Sequence, residues 1–177
     1  MSGYRIDWLL LEILPIIFFA FGLFIYALKL GKLREWLKKL TPLLLYATVE
    51  GAHRFFGFFD TSPFSFFLIM FLLFFWCLIL HYKNIGLSLF ACGGIANAIV
   101  SLINGGRMPM LGITAVYSIY QPMTDKTIFP FLCDWISSPF RHYLLSFGDI
   151  LLAVGITIFL IQGLAGLWRN LKNKIKI

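Results

Sequence analysis

Two short polar stripes and one glycine-rich turn hold the residues of this chain that could do chemistry. Asn97, Ser101 and Asn104 recur at i, i+4 and i+7, the spacing of one helix face. Asn104 then opens the run Asn104-Gly105-Gly106-Arg107-Met108-Pro109. There two glycines free the backbone to turn, and Pro109 forbids simple continuation of the helix. Ser146 and Asp149 sit three apart near the start of a later apolar run, and Glu50, His53 and Arg54 interrupt an earlier one. Carboxylates, carboxamides and a guanidinium on neighbouring apolar segments can bind a polar group, or hold a water between acids for hydrolysis. Charges in such surroundings must pair or open onto water, which makes Arg107 and Arg54 the candidate counter-ions of Asp149.

Other chemistries lack their residues. His53, His81 and His142 are far apart and carry no metal-ligand spacing. Cys77 and Cys92 fall inside apolar runs and Cys133 in a connection, which gives neither a disulfide framework nor a metal set. There is no phosphate loop, no dinucleotide fingerprint and no Gly-x-Ser-x-Gly elbow. The expectation is a protein with no cofactor and no metal.

The elements that position these residues follow from composition. Of 177 residues 60% are hydrophobic and 13% charged, against roughly 25% charged in soluble domains. With a mean hydropathy of +0.86 and twenty phenylalanines in long apolar runs, lipid is the expected solvent. The net charge of +7 lies beside apolar spans, where it reads as membrane orientation rather than nucleic-acid binding.

The fold expected is an all-α integral membrane protein, a bundle of five transmembrane helices in a single domain. The approximate spans are 8–30, 42–59, 64–82, 85–103 and 143–167. The first is too long for a signal peptide and runs into a basic amphipathic segment, Lys29 to Lys39, suited to the headgroups. The second contains Glu50, His53 and Arg54, and each mid-bilayer charge costs about 2.5–3.5 kcal/mol. It can span only if the stripe Tyr46, Glu50, His53 and Gly57 faces the bundle and Glu50 pairs with Arg54 one turn on. Gly93, Gly94, Ala96 and Ala98 allow close backbone approach and make the fourth span the central one.

Five spans with the N-terminus outside and the C-terminus inside place both the basic segment Lys29–Lys39 and the tail Arg169–Lys176 on the cytoplasmic side. The setting expected is the cell membrane. The long connection from Asn104 to His142 then lies outside. Rich in aromatics and broken by Pro122, Pro130 and Pro139, it is expected on the membrane surface or folded back as a lid.

Asn104-Gly-Gly-Arg-Met-Pro-Met, with Ser146-Phe147-Gly148-Asp149 after it, resembles the bacterial membrane family called domain of unknown function 5317. That family is built on an Asn-Gly-Gly-Arg-Met-Pro motif and a later Gly-Asp opening the last helix. The resemblance implies the five-span layout and no established activity. A fainter one is to lipoprotein signal peptidase, a membrane aspartyl protease. Gly93-Gly94-Ile95-Ala96-Asn97 resembles its Gly-Gly-x-x-Gly-Asn segment, and Phe147-Gly148-Asp149 the opening of its last helix. Val100 stands where that resemblance implies the first catalytic aspartate.

An aspartyl protease needs two carboxylates around one water. Asp149 supplies one, and Glu50 or another acid would have to reach in to supply the second. The function expected is therefore binding or accessory, with catalysis ranked second as a membrane hydrolase of altered dyad. Its outward polar site gathers Asn97, Asn104, Gly105, Gly106, Arg107, Pro109, Asp149, Glu50 and Arg54, with Asp149 and Glu50 the candidate acids. The partners expected are membrane lipids and, at the outer face, a lipid, a peptide or a membrane protein. A transporter ranks low because no half of the chain repeats.

Overall fold

The computed structural model describes residues 33–57, 62–116, 118–137 and 144–175. The expected first span, 8–30, lies outside them. The chain divides into two units, Met1–Leu45 and Tyr46–Ile177, and the packing set out below belongs to the second.

Helix α1 spans Leu33–Phe56. It joins the end of the expected interfacial segment to most of the expected second span, and Pro42 does not end it. Leucine, lysine, arginine and glutamate all favour the helix, so a change from polar to apolar residues need not end it. Arg34, Glu35, Lys38, Lys39, Glu50 and Arg54 give α1 a more polar composition than the helices that follow. Among the described residues three helices are long and apolar enough to cross a membrane.

These are α2 (Pro63–His81), α3 (Ile85–Ile103) and the first 20 residues of α4 (Phe147–Ile175). Pro63 stands at the start of α2, where its missing N–H is no loss. Phe66, Phe67, Met70, Phe74 and Cys77 form its buried stripe, and Leu72, Phe75, Trp76 and Ile79 face outward. Asn84 caps α3, its side-chain oxygen accepting the Leu87 N–H at 3.0 Å.

Helix α3 is the centre of the bundle because glycines open both of its sides. A Cβ on Gly94 would strike the Phe74 ring of α2. On the other side Gly86 and Gly93 meet the backbone of α4 at Gly155–Phe159 and Gly148–Leu152. The two helices therefore run antiparallel in close backbone contact, as small residues permit in membranes. This order leaves the Lys83 turn at one end of the bundle and the connection after α3 at the other.

That connection is more structured than a surface lid. Strand β1 (Met108–Met110) pairs in parallel with β2 (Tyr120–Pro122), Met108 opposite Tyr120. A single turn of 3₁₀ helix covers Pro130–Leu132, and β3 (Ile136–Ser137) pairs antiparallel with β4 (Leu144–Leu145). The all-α expectation is corrected to this extent: the fold is mostly helical, with short strands in the cap. Proline breaks helices here, and the stranded backbone groups find partners by lateral pairing instead.

Candidate functional site

The polar stripes meet where α3 faces the start of α4. Ser146 is the cap of α4, and its Oγ accepts the Asp149 N–H at 3.0 Å. In return Asp149 Oδ2 accepts the Ser146 N–H at 3.0 Å. This is a reciprocal capping box, which satisfies two helix-end donors and starts the helix at Phe147 rather than at 143. Asn97 joins it from α3. Its Nδ2 donates to Asp149 Oδ1 at 2.8 Å, and its Oδ1 accepts from Ser146 Oγ at 2.8 Å. A side chain at 148 would collide with Asn97, so Gly148 lets the carboxamide lie against α4. Asp149 is thus held by its own helix and by α3.

The glycine-rich turn builds the wall opposite. The Gly106 N–H donates to Ser101 O at 2.8 Å and the Gly105 N–H to Leu102 O at 3.3 Å. These are the two bonds of a Schellman ending, with φ at +85° and +83° on the glycines. Asn104 then clamps the cap. Its side chain donates to Ile128 O at 3.0 Å and accepts the Ile128 N–H at 2.9 Å, while its carbonyl accepts Gln121 Nε2 at 2.6 Å. Arg107 Nε donates to Ser118 O at 3.2 Å. The guanidinium expected as a counter-ion of Asp149 instead braces the loop. Val100 is fully buried in the core, and its carbonyl accepts the Asn104 side chain at 2.8 Å.

Pro109 positions the residue that sequence reasoning missed. Its carbonyl accepts the Asp134 N–H at 3.1 Å, and Asp134 O accepts the Leu111 N–H at 2.9 Å. The acid is thereby laid along β1, 5% exposed, with Oδ1 buried and without a hydrogen-bond partner. Burial, reinforced by the neighbouring Asp149 carboxylate, pushes its carboxyl up to about 8. Cys133 beside it is inert: burial and then Asp134 push its thiol up to about 11, and Sγ donates to Phe129 O at 3.5 Å. The only signal in the chain was an acid standing between Cys133 and Trp135 in a connection poor in charge.

Asp134 and Asp149 line one cavity of about 130 Å³. Glu50 and Tyr46 reach it from α1, Asn97 and Gly94 from α3, Met108 and Tyr120 from the cap, and Phe66 and Phe74 from α2. Tyr46 is seated against Phe74 and Phe90, ring centroids 5.3 and 5.6 Å away, and His53 lies 7% exposed on Phe66 at 4.7 Å. The stripe Tyr46, Glu50, His53 therefore does face the bundle. Arg54 lies on α1, but its side chain falls outside the described residues.

Of the expected site, the structure brings Asn97, Glu50 and Asp149 to the cavity, while Asn104, Gly105, Gly106, Arg107 and Pro109 hold the cap that closes it. Among the described residues no lining side chain is basic, and no cluster of His, Cys, Asp or Glu could hold a metal. Drug-sized ligands need pockets of about 300–1,000 Å³. This one admits a single polar group and water.

No curated protein and no solved structure matches the chain. A family model does, over residues 36–161, a stretch that takes in the capping box, the glycine-rich turn and both aspartates; the chain belongs to the family of unknown function DUF5317.

Proposed function

We propose that this is a multi-span membrane protein that admits one neutral or cationic polar group of a membrane-borne ligand into the acidic cavity. A single observation carries the reading: Asp134, which lines a cavity with Asp149 and Glu50, keeps its Oδ1 buried without a partner. An unsatisfied buried polar atom costs about 1–3 kcal/mol, which a ligand hydrogen bond recovers. With Asp149 and the buried Asp134 in its wall and no basic residue among its described lining, the cavity disfavours a phosphate or carboxylate and favours an amide or an amine. Tyr46, Phe66, Phe74 and Tyr120 add the aromatic faces that attract cations.

The five-span arrangement, N-terminus out and C-terminus in, is part of this proposal, and so is the bacterial cytoplasmic membrane. The Lys83 turn and the basic end of α4 share one end of the bundle, which supports that end as cytoplasmic and the capped cavity as outward. The ligand then arrives from the outer leaflet as a lipid, a peptide or a partner helix. Hydrolysis is the second reading, favoured by the second acid beside Asp149.

Hexylamine, hexanamide and hexanoate share a chain and differ in charge, so they test the cavity. With the full-length protein in lipid nanodiscs, the amine and the amide should raise the unfolding midpoint and the carboxylate should not. Equal effects of all three would refute the reading.

A further inference from the structure

We infer that Asp134 and Asp149 are a catalytic carboxylate pair that hydrolyses a peptide amide admitted to this cavity, an inference that rests on the binding reading above. The two acids come from different elements, the cap and the start of α4, yet they line one cavity too small for more than an amide and a water. Their surroundings differ in the way acid–base work requires. Both oxygens of Asp149 already accept hydrogen bonds, from Asn97 Nδ2 and the Ser146 N–H, so its remaining lone pairs are held in fixed directions as acceptors. Asp134 receives no such bond at Oδ1, and burial beside another carboxylate keeps its proton on to about pH 8. Two carboxyls in one site, one held by hydrogen bonds at both oxygens and the other buried with an oxygen unpartnered, divide into a base and an acid.

The chemistry closes with water as co-reactant. Asp149 takes a proton from water as the water oxygen bonds to the amide carbon. Asp134 gives its proton to the carbonyl oxygen, forming a tetrahedral gem-diol. In collapse the proton on Asp149 passes to the nitrogen, one hydroxyl returns its proton to Asp134, and the C–N bond breaks. The products are a carboxylic acid and an amine, and both acids end as they began. An amide suits the cavity because its leaving nitrogen must be protonated, and because the reacting group carries no negative charge toward the two aspartates. Val100 does not bear on this assignment, since the second acid comes from the cap rather than from α3.

Pro109, Asn104 and Arg107 are positioning residues: they fix the backbone of the strand and loops that hold Asp134.

The test uses full-length protein in nanodiscs with a pool of internally quenched hydrophobic peptides in ¹⁸O-water. Cleavage is expected, with one ¹⁸O in each new carboxyl terminus. Asp134→Asn and Asp149→Asn should each lose it by about 10²–10⁴-fold, the range of general acid–base catalysis, while Lys126→Ala keeps it. Asp134→Asn replaces one neutral polar group by another, so its fold should survive, as an unchanged elution volume and circular dichroism spectrum would show. Cleavage persisting in either variant, or none by the native protein, overturns the inference. Hexanamide binding without cleavage leaves the binding reading standing; neither binding nor cleavage brings down both.

Discussion

Raising the pH should weaken this protein through one residue. The Asp134 carboxyl, ordinarily near 3.8, titrates at about 8 in the folded chain because burial and then Asp149 oppose its charge. A folded pKa above the unfolded one means that the native state holds the proton longer. Its contribution is fully present below the unfolded value and is lost as pH rises through the folded one. At about 1.4 kcal/mol per pH unit, the stretch from about pH 5.5 to about pH 8 removes about 3 kcal/mol. For a chain of this size that is about 6–12 °C in midpoint. Thermal unfolding in nanodiscs across that range should fall for the native protein and stay nearly level for Asp134→Asn. The other ionisable groups facing the acid, Asp149, Glu50, Tyr46, Tyr120 and Cys133, are common to both proteins, so the difference isolates Asp134. Asp149→Asn should leave a shallower slope, because one of the two causes is gone. Parallel curves for the native protein and Asp134→Asn would refute the reasoning.

The helix contact and the orientation give two further tests. Gly155→Ala places a methyl against the backbone of Phe90 and Gly86, whereas Gly163→Ala on the same helix meets open space. Both gain the same helix propensity, so denaturation should show Gly155→Ala less stable than Gly163→Ala by about 1–3 kcal/mol; equality would mean that α3 and α4 do not touch there. With Cys77, Cys92 and Cys133 replaced, a cysteine at Lys126 should react with an impermeant maleimide on intact cells, and one at Lys83 only after permeabilisation. The reverse pattern would invert the proposed orientation.

Helices whose ends carry local signals were legible to within one residue. The expected fourth span, 85–103, coincides with α3, and the third differs by one position from α2, because Asn84 and Ser62-Pro63 mark their starts. Hydropathy put the start of the second span at 42, inside a helix that begins at Leu33, since it reports the solvent a residue prefers and not whether the backbone stays helical. It also began the last span at 143, counting apolar Leu144 and Leu145 that in fact pair with β3. The spacing of Ser146 and Asp149 was visible, but a capping box and a polar stripe look alike in sequence. Arg107 was read as a counter-ion because opposite charges attract at any separation in a sequence. Its carbonyl partner on Ser118 exists only once the loop has folded. Asp134 was missed for the same reason: nothing near it in the chain says that Pro109 will lay it beside Asp149.

Where Arg107 goes decides what the cavity can do. A guanidinium in contact with Asp149 would neutralise it, relieve the pressure on Asp134 and leave an ion pair with nothing to offer a ligand. Tied to the Ser118 carbonyl, the arginine holds the cap in place and supplies no charge to the cavity. The acids then have two ways to lower their mutual repulsion: keep a proton on Asp134, or receive a cation. The first makes a proton donor beside an acceptor, and the second makes a binding site for an amine. A peptide amide draws on both, because it needs a proton at its oxygen first and leaves as an amine.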